Sequence, residues 1–288
     1  MKTRIISGVV ITVLCVVLGF LGGWPLGAVL GACSVIGYIE VTRALAVHEQ
    51  GKPMNVLEYL GIGCVVLFWG LLIYLEQTRD MTRFFRDANF VTLLVIIAIL
   101  CLEMMVYVFT FPLFHADQVI DAIFSFVYVA VMMSCIFRAR SLPFGMCVYA
   151  LIFFCSWVCD TCAWAVGRKF GKHKLAPVLS PKKSVEGAVG GAAGSAIACL
   201  IMAVAVHHFM HISLEREFLI LGVAGGIISQ VGDLTASAIK RNHGIKDYGR
   251  VIPGHGGIMD RFDSAIFTAP VVYYLAVWLL TVHRNIVL

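Results

Sequence analysis

Long, uninterrupted apolar runs recur from one end of this chain to the other. An α-helix needs about 20 such residues to cross ~30 Å of hydrocarbon. The runs are continuous, not alternating, which excludes a membrane β-barrel. By run length the pattern predicts about nine spans, at Arg4–Phe20, Trp24–Ala46, Leu57–Leu75, Phe90–Phe109, Val119–Phe137, Pro143–Val166, Gly187–Phe209, Phe218–Ile239 and Ser264–Val282. The turn Gly22-Gly23-Trp24-Pro25 should fold the first two into a hairpin. The expected fold class is therefore all-α, a polytopic integral membrane protein. The first span exceeds a signal-peptide core and lacks a small-residue cleavage site before a soluble domain, so it is expected to be retained.

Composition agrees: 60% of the 288 residues are hydrophobic and 14% charged, which rules out a soluble domain with one anchor. The Lys and Arg residues set an orientation. The richest loops hold Arg168, Lys169, Lys172, Lys174, Lys182 and Lys183, then Lys240, Arg241, Lys246, Arg250 and Arg261. Two spans separate them, so they share one side, expected to be the cytoplasmic face of the cell membrane. The N-terminus then lies inside and the C-terminus outside. Arg79, Arg83, Arg86, Arg138 and Arg140 fall on the opposite side of this scheme. The net charge of +5 is concentrated in the two loops, which suits phosphates or lipid head groups; no nucleic-acid motif is present. Ten cysteines are scattered, mostly within spans. Cys159-x-x-Cys162 has no second pair to complete a zinc site, so helix packing is its preferred reading.

Residues 1–140 read as transmembrane helices with plain loops, and Glu40, Glu103 and Asp121 as isolated acids. Glu40 is expected to pair with Arg43. Residues 141–288 carry the chemistry. Gly187/Gly191, Gly190/Gly194 and Gly222/Gly226 have small-xxx-small spacing, which predicts close helix packing, within one chain or between two copies as a homodimer. His207, His208 and His211 suit a solvated interfacial cluster better than a metal site.

Charge at membrane depth is costly and marks function by default. On the eighth span Asp233, Ser237, Lys240 and Arg241 form one helical stripe. Read alone, Asp233 is equally a packing ion pair. A second acidic group, Asp260-Arg261-Phe262-Asp263, opens the ninth span after Pro253-Gly254-His255-Gly256-Gly257. Acids in a first helical turn also satisfy the helix dipole, the plain reading of Asp263. Asp233 and Asp260 on adjacent helices make a plausible Mg²⁺ site, since Mg²⁺ takes one or two carboxylates plus substrate phosphates and water. Lys240, Arg241, Lys246 and Arg261 would then offset phosphate charge. Lys182-Lys183-Ser184 reads either as a positive anchor before a capped helix or as part of the same site, and Asp160, at the same side, is a secondary candidate. No P-loop, G-x-S-x-G or H-E-x-x-H pattern occurs.

Ser237-x-x-Lys240-Arg241, Lys246-Asp247, Pro253-x-His255-Gly256-Gly257 and Asp260-Arg261-x-Asp263, at unbroken spacing, resemble the C-terminal signature of the phosphatidate cytidylyltransferases. Asp160-Thr161-x-Ala163, Gly167-Arg168-x-Phe170-Gly171 and Ser180-Pro181-Lys182-Lys183-Ser184-x-Glu186-Gly187 resemble the family too, with Cys162, Trp164 and Ser184 as departures. The resemblance covers the last 130 or so residues strongly and the rest by hydropathy. It implies transfer of cytidylyl from CTP to phosphatidate, giving CDP-diacylglycerol and pyrophosphate, with Mg²⁺ and a second cation left open. It implies Asp233 and Asp260 as metal ligands, and Ser237, Lys240 and Arg241 at the phosphates. Lys246, Asp247, His255, Arg261, Lys182, Lys183 and Ser184 follow as substrate contacts. A CTP-using lipid kinase and an ion-coupled transporter are the alternatives; against the latter, the charges cluster on one face and no repeat joins the halves.

Overall fold

The computed structural model describes residues 2–48, 52–77, 81–254 and 256–283. Among these lie nine apolar helices: α1 (Lys2–Leu21), α2 (Gly23–Ala44), α3 (Val56–Glu76), α4 (Met81–Phe109), α5 (Ala116–Arg140), α6 (Gly145–Phe170), α7 (Val185–Met210), α8 (Glu215–Asn242) and α9 (Met259–Ala276). A π-helical turn, Val277–His283, continues α9. Eight of the helices are long and apolar enough to span a membrane, and the apolar part of α1, Ile6–Leu21, is shorter. Every expected span coincides with one helix. The hydrophobic runs are readable because the bilayer, like a protein core, offers the backbone no partner but its own.

The pattern did not announce two features. Helices α5 and α6 each pass through a π-helical stretch, at Phe126–Val131 and Phe154–Val158. Between α6 and α7 the chain forms a hairpin of β1 (Lys174–Ala176) and β2 (Ser180–Ser184), paired antiparallel. Its polar, short strands carry too little periodicity to be seen in the sequence.

The chain divides into two compact units. The first comprises residues 1–137 and 242–261. Its core joins Tyr38 and Val41 of α2, Phe68 and Leu72 of α3, Ile99 of α4 and Phe126 of α5, all fully buried. Asn55 caps α3 by accepting from the Glu58 amide, while Glu58 accepts from the Asn55 amide and pairs with His48 at 2.9 Å.

The second unit comprises residues 138–241 and 262–288. Small residues set its helix spacing. A Cβ at Gly191 of α7 would stand 2.9 Å from the Ala163 Cβ and the Cys159 carbonyl of α6. A Cβ at Gly226 of α8 would stand 2.9 Å from the Ser195 Cβ of α7. Cys159 is buried there and donates its thiol to the Gly226 carbonyl at 3.3 Å, consistent with a packing role. Arg138 is also buried, its guanidinium 4.6 Å from the Tyr273 ring and 5.7 Å from the Tyr274 ring.

The contrast between two helical glycines is testable. At Gly63 a Cβ meets nothing within 4 Å. Gly63→Ala should hold or raise the unfolding temperature in detergent, since alanine favours a helix by about 1 kcal/mol. Gly191→Ala should lower it, because overpacking costs about 1–3 kcal/mol and exceeds that gain.

Candidate active site

A cavity of about 480 Å³ lies in the second unit, lined by Asp160 and Arg168 of α6, Lys182 and Lys183 of the hairpin, and Gln230 and Asp233 of α8. The hairpin is fixed before it is charged. Ser184 ends β2 and caps α7, its hydroxyl accepting from the Gly187 amide at 3.1 Å. Glu186, in the first turn of α7, accepts from the amides of Lys172 at 3.1 Å and His173 at 3.3 Å, and pairs with the His173 ring at 2.6 Å. The Lys174 ammonium donates to the Pro181 carbonyl across the strands at 2.7 Å. So anchored, β2 directs Lys183 onto α8, where its Nζ lies 2.5 Å from the Asp233 carboxylate. Both side chains keep about a quarter of their surface exposed, 24% and 28%, while the Lys183 Nζ itself is covered.

Asp233 has acidic company. Asp160 lies within electrostatic reach of Asp233 and Lys183, and Asp263 within reach of Asp233, Lys240 and Asp160. The Ser264 hydroxyl donates to Asp160 at 3.4 Å, and Asp263 accepts from the Ser264 amide at 2.8 Å. The two residues that the sequence ranked as secondary, Asp160 and Asp263, are thus the carboxylates around Asp233 in this unit. Among the described residues no group of three or more His, Cys, Asp or Glu stands ready to enclose a metal. Carboxylates that leave most positions to phosphate and water are the donor set Mg²⁺ prefers.

The remaining sites sort by unit. Ser237 is partly buried, Lys240 buried and Arg241 exposed, along the stripe toward the end of α8. In the first unit Lys246, Asp247 and Arg261 are exposed, and His255 lies outside the described residues. Asp260 is buried and does something the spacing did not suggest: one carboxylate oxygen accepts from the amides of Tyr248 at 2.8 Å and Gly257 at 2.9 Å. It closes the turn in which Gly254 and Gly256 take φ of 78° and 86° and the Ile252 amide meets the Gly256 carbonyl.

Glu40 completes that turn. Its carboxylate feels the charge of Arg43, as expected, but its hydrogen bonds go elsewhere. It accepts from the amides of Ile258 at 3.1 Å and Met259 at 2.9 Å, the first donors of α9. A Cβ at Gly249 or Gly257 would collide with it, which is why glycines stand at both positions. An acid at a helix N-terminus is favourable on two counts, hydrogen bonding and the dipole. The sequence does not mark Glu186 or Glu40 as residues that shape these loops, because the amides they accept from are brought to them only by the fold.

The chain matches the model of the cytidylyltransferase family over residues 2–279. Curated relatives named phosphatidate cytidylyltransferase include that of Bacillus subtilis, 30% identical over 278 residues, 96% of this chain and 97% of the relative. That of Staphylococcus saprophyticus is 34% identical over 227 residues, 78% and 83% of the two chains. That of Synechocystis is 42% identical over 147 residues, 51% of this chain and about half, 49%, of the relative's length.

Removing the Glu40 acceptor should loosen the turn. Glu40→Ala leaves two amides unpaired, each costing about 1–3 kcal/mol. Hydrogen exchange at residues 248–259 should accelerate, with the α3 cap unchanged, and Glu40→Gln should fall between. Unaltered exchange in Glu40→Ala would contradict the assignment.

Proposed function

The chain belongs to the cytidylyltransferase family, and on that premise we propose that its second unit transfers the cytidylyl group of CTP to phosphatidate. The products are CDP-diacylglycerol, for phospholipid synthesis, and pyrophosphate. The observation that carries the reading is the cavity that sets Arg168, Lys182 and Lys183 beside Asp233 in a membrane-helix scaffold. Such a site can hold a polyanion and a cation together at the level of lipid head groups.

The chemistry asks little of a base, because the lipid phosphate is already a nucleophile. One of its oxygens forms a bond to the α-phosphorus of CTP, and the bridging bond to the β-phosphate breaks. The electron pair leaves with pyrophosphate. The protein must align the two phosphates and offset charge as it moves to the leaving group. Lys182, Lys183 and Arg168 line the cavity and would meet the phosphates there, and Lys240 would offset the acidic cluster. Ser237 and Arg241 continue this stripe along α8, and Lys246, Asp247, His255 and Arg261 are further contacts that the family resemblance implies. Mg²⁺ would neutralise phosphate oxygens, held by Asp233 with Asp160 or Asp263 nearby. Asp260, to which the resemblance also gives a metal role, already spends one oxygen on two amides, so its variant should also disturb the loop.

The site is proposed to face the cytoplasm, where CTP is made. One of the arginines that oppose this orientation, Arg138, is buried over two tyrosine rings and is not a loop charge.

The test uses purified protein in lipid–detergent micelles with phosphatidate, Mg²⁺ and CTP labelled at the α-phosphate. Label should enter the lipid fraction, with one pyrophosphate released per lipid labelled and EDTA abolishing both. Release of CDP instead would mark a kinase. Asp233→Asn should lower turnover at least ~100-fold, as expected for a lost electrostatic stabiliser, in protein that remains folded by circular dichroism; full activity would remove Asp233 from the metal site.

A further inference from the structure

Beside the charged cavity lies a second one of about 540 Å³ whose wall is almost wholly apolar. It is a groove between α7 and α8, lined by Ala192, Ala193 and Ala196 on one side and Val223, Ile227 and Val231 on the other. Its floor is the closest approach of the two helices. A Cβ at Gly222 would stand 2.9 Å from the Ala196 Cα, and one at Gly226 would stand 3.2 Å from the Ala192 Cα. Its valine and isoleucine rim is open, with Val223 41%, Ile227 54% and Val231 43% exposed. The groove and the charged cavity share three lining residues: Leu175, Ala188 and Gln230. Gln230 braces this junction by donating to the Ala188 carbonyl at 3.0 Å and the Gly226 carbonyl at 3.1 Å.

We infer that this groove seats one fatty acyl chain of the phosphatidate whose phosphate occupies the charged cavity, and that Ala193 and its neighbours set how that chain is held. The inference rests on the reaction proposed above and adds where the lipid lies. Its argument is continuity. From Ala188 to Ala196 the groove follows α7 away from the charged end for roughly 12 Å, at ~1.5 Å per residue. A ligand filling both cavities must be anionic at one end and hydrocarbon for the next several methylenes. A phosphate-headed lipid has that form. A helix from a second copy would cover the groove, but would have no use for its opening onto lysines. Shallow apolar walls that hold part of a chain also leave the remainder in the bilayer, so product can depart sideways without crossing water.

Two measurements test this. In the first, phosphatidate bearing a photoreactive diazirine midway along one acyl chain is irradiated with the wild-type protein. Label is expected on residues 188–196 and 223–234, and competition by unlabelled phosphatidate should remove it; label confined to other helices overturns the inference. In the second, Ala193→Phe fills the groove from its exposed side. The KM for a long-chain phosphatidate should rise about 10-fold, the scale on which an apolar pocket discriminates by size. The KM for CTP should stay unchanged, and a short-chain phosphatidate should lose the difference. Ile201→Phe, on the same helix, exposed and outside the groove, is the control and should match wild type. An unchanged KM in Ala193→Phe overturns the acyl site alone. A wild-type protein that makes no CDP-lipid overturns the reaction reading instead, and the two failures are distinguishable. Label at the groove that survives competition by unlabelled phosphatidate, with self-association abolished by Ala193→Phe, would assign the groove to a second copy and also overturn the inference.

Discussion

Charge held at the edge of a membrane must be compensated where it stands, and the Lys183–Asp233 pair at 2.5 Å is where this chain does so. Neither partner could be left alone in that position without a desolvation cost of several kcal/mol. The surrounding architecture follows from keeping them together. Ser184 and Glu186 tie the hairpin to the first turn of α7, so that Lys183 arrives from a fixed direction. Glycines bring α7 against α6 and α8, so that Asp160 and Asp233 stand close enough to feel one another. Both side chains line the cavity, while the Lys183 ammonium itself is covered.

The same division of labour appears in the first unit with different parts. Glu40 and Asp260 use their carboxylates on four backbone amides between Tyr248 and Met259. Two acids spent on one turn give it a definite shape that its glycines alone would not. A loop of that kind can present exposed Lys246 and Arg261 reproducibly, because its own donors are already satisfied.

How much of this could be read from the sequence depends on the range of the interaction. The spans were legible because hydrophobic runs are local, and the acidic and basic stripe on α8 because its residues share one helix face. The packing role of Gly191 and Gly226 followed from their spacing, although the partner surfaces, Cys159 and Ala163 on one side and Ser195 on the other, did not. Arg43 is the partner a local reading offers Glu40, and it does act on the carboxylate; the amides Glu40 also serves are 218 and 219 residues away. The proximity of Asp160 and Asp263 to Asp233 arises from helix packing, and no periodicity encodes it. The β-hairpin, short and polar, gave no pattern to find.

The central claim is that CTP binds with its phosphates at Lys182 and Lys183, beside Asp233. The most direct measurement is protection of exposed Lys182 from an amine-acylating reagent, read peptide by peptide by mass spectrometry, with and without CTP and Mg²⁺. The account predicts that Lys182 becomes slow to react when CTP and Mg²⁺ are present, while exposed Lys52 reacts as before. Equal reactivity of Lys182 in the presence and absence of saturating CTP would contradict it.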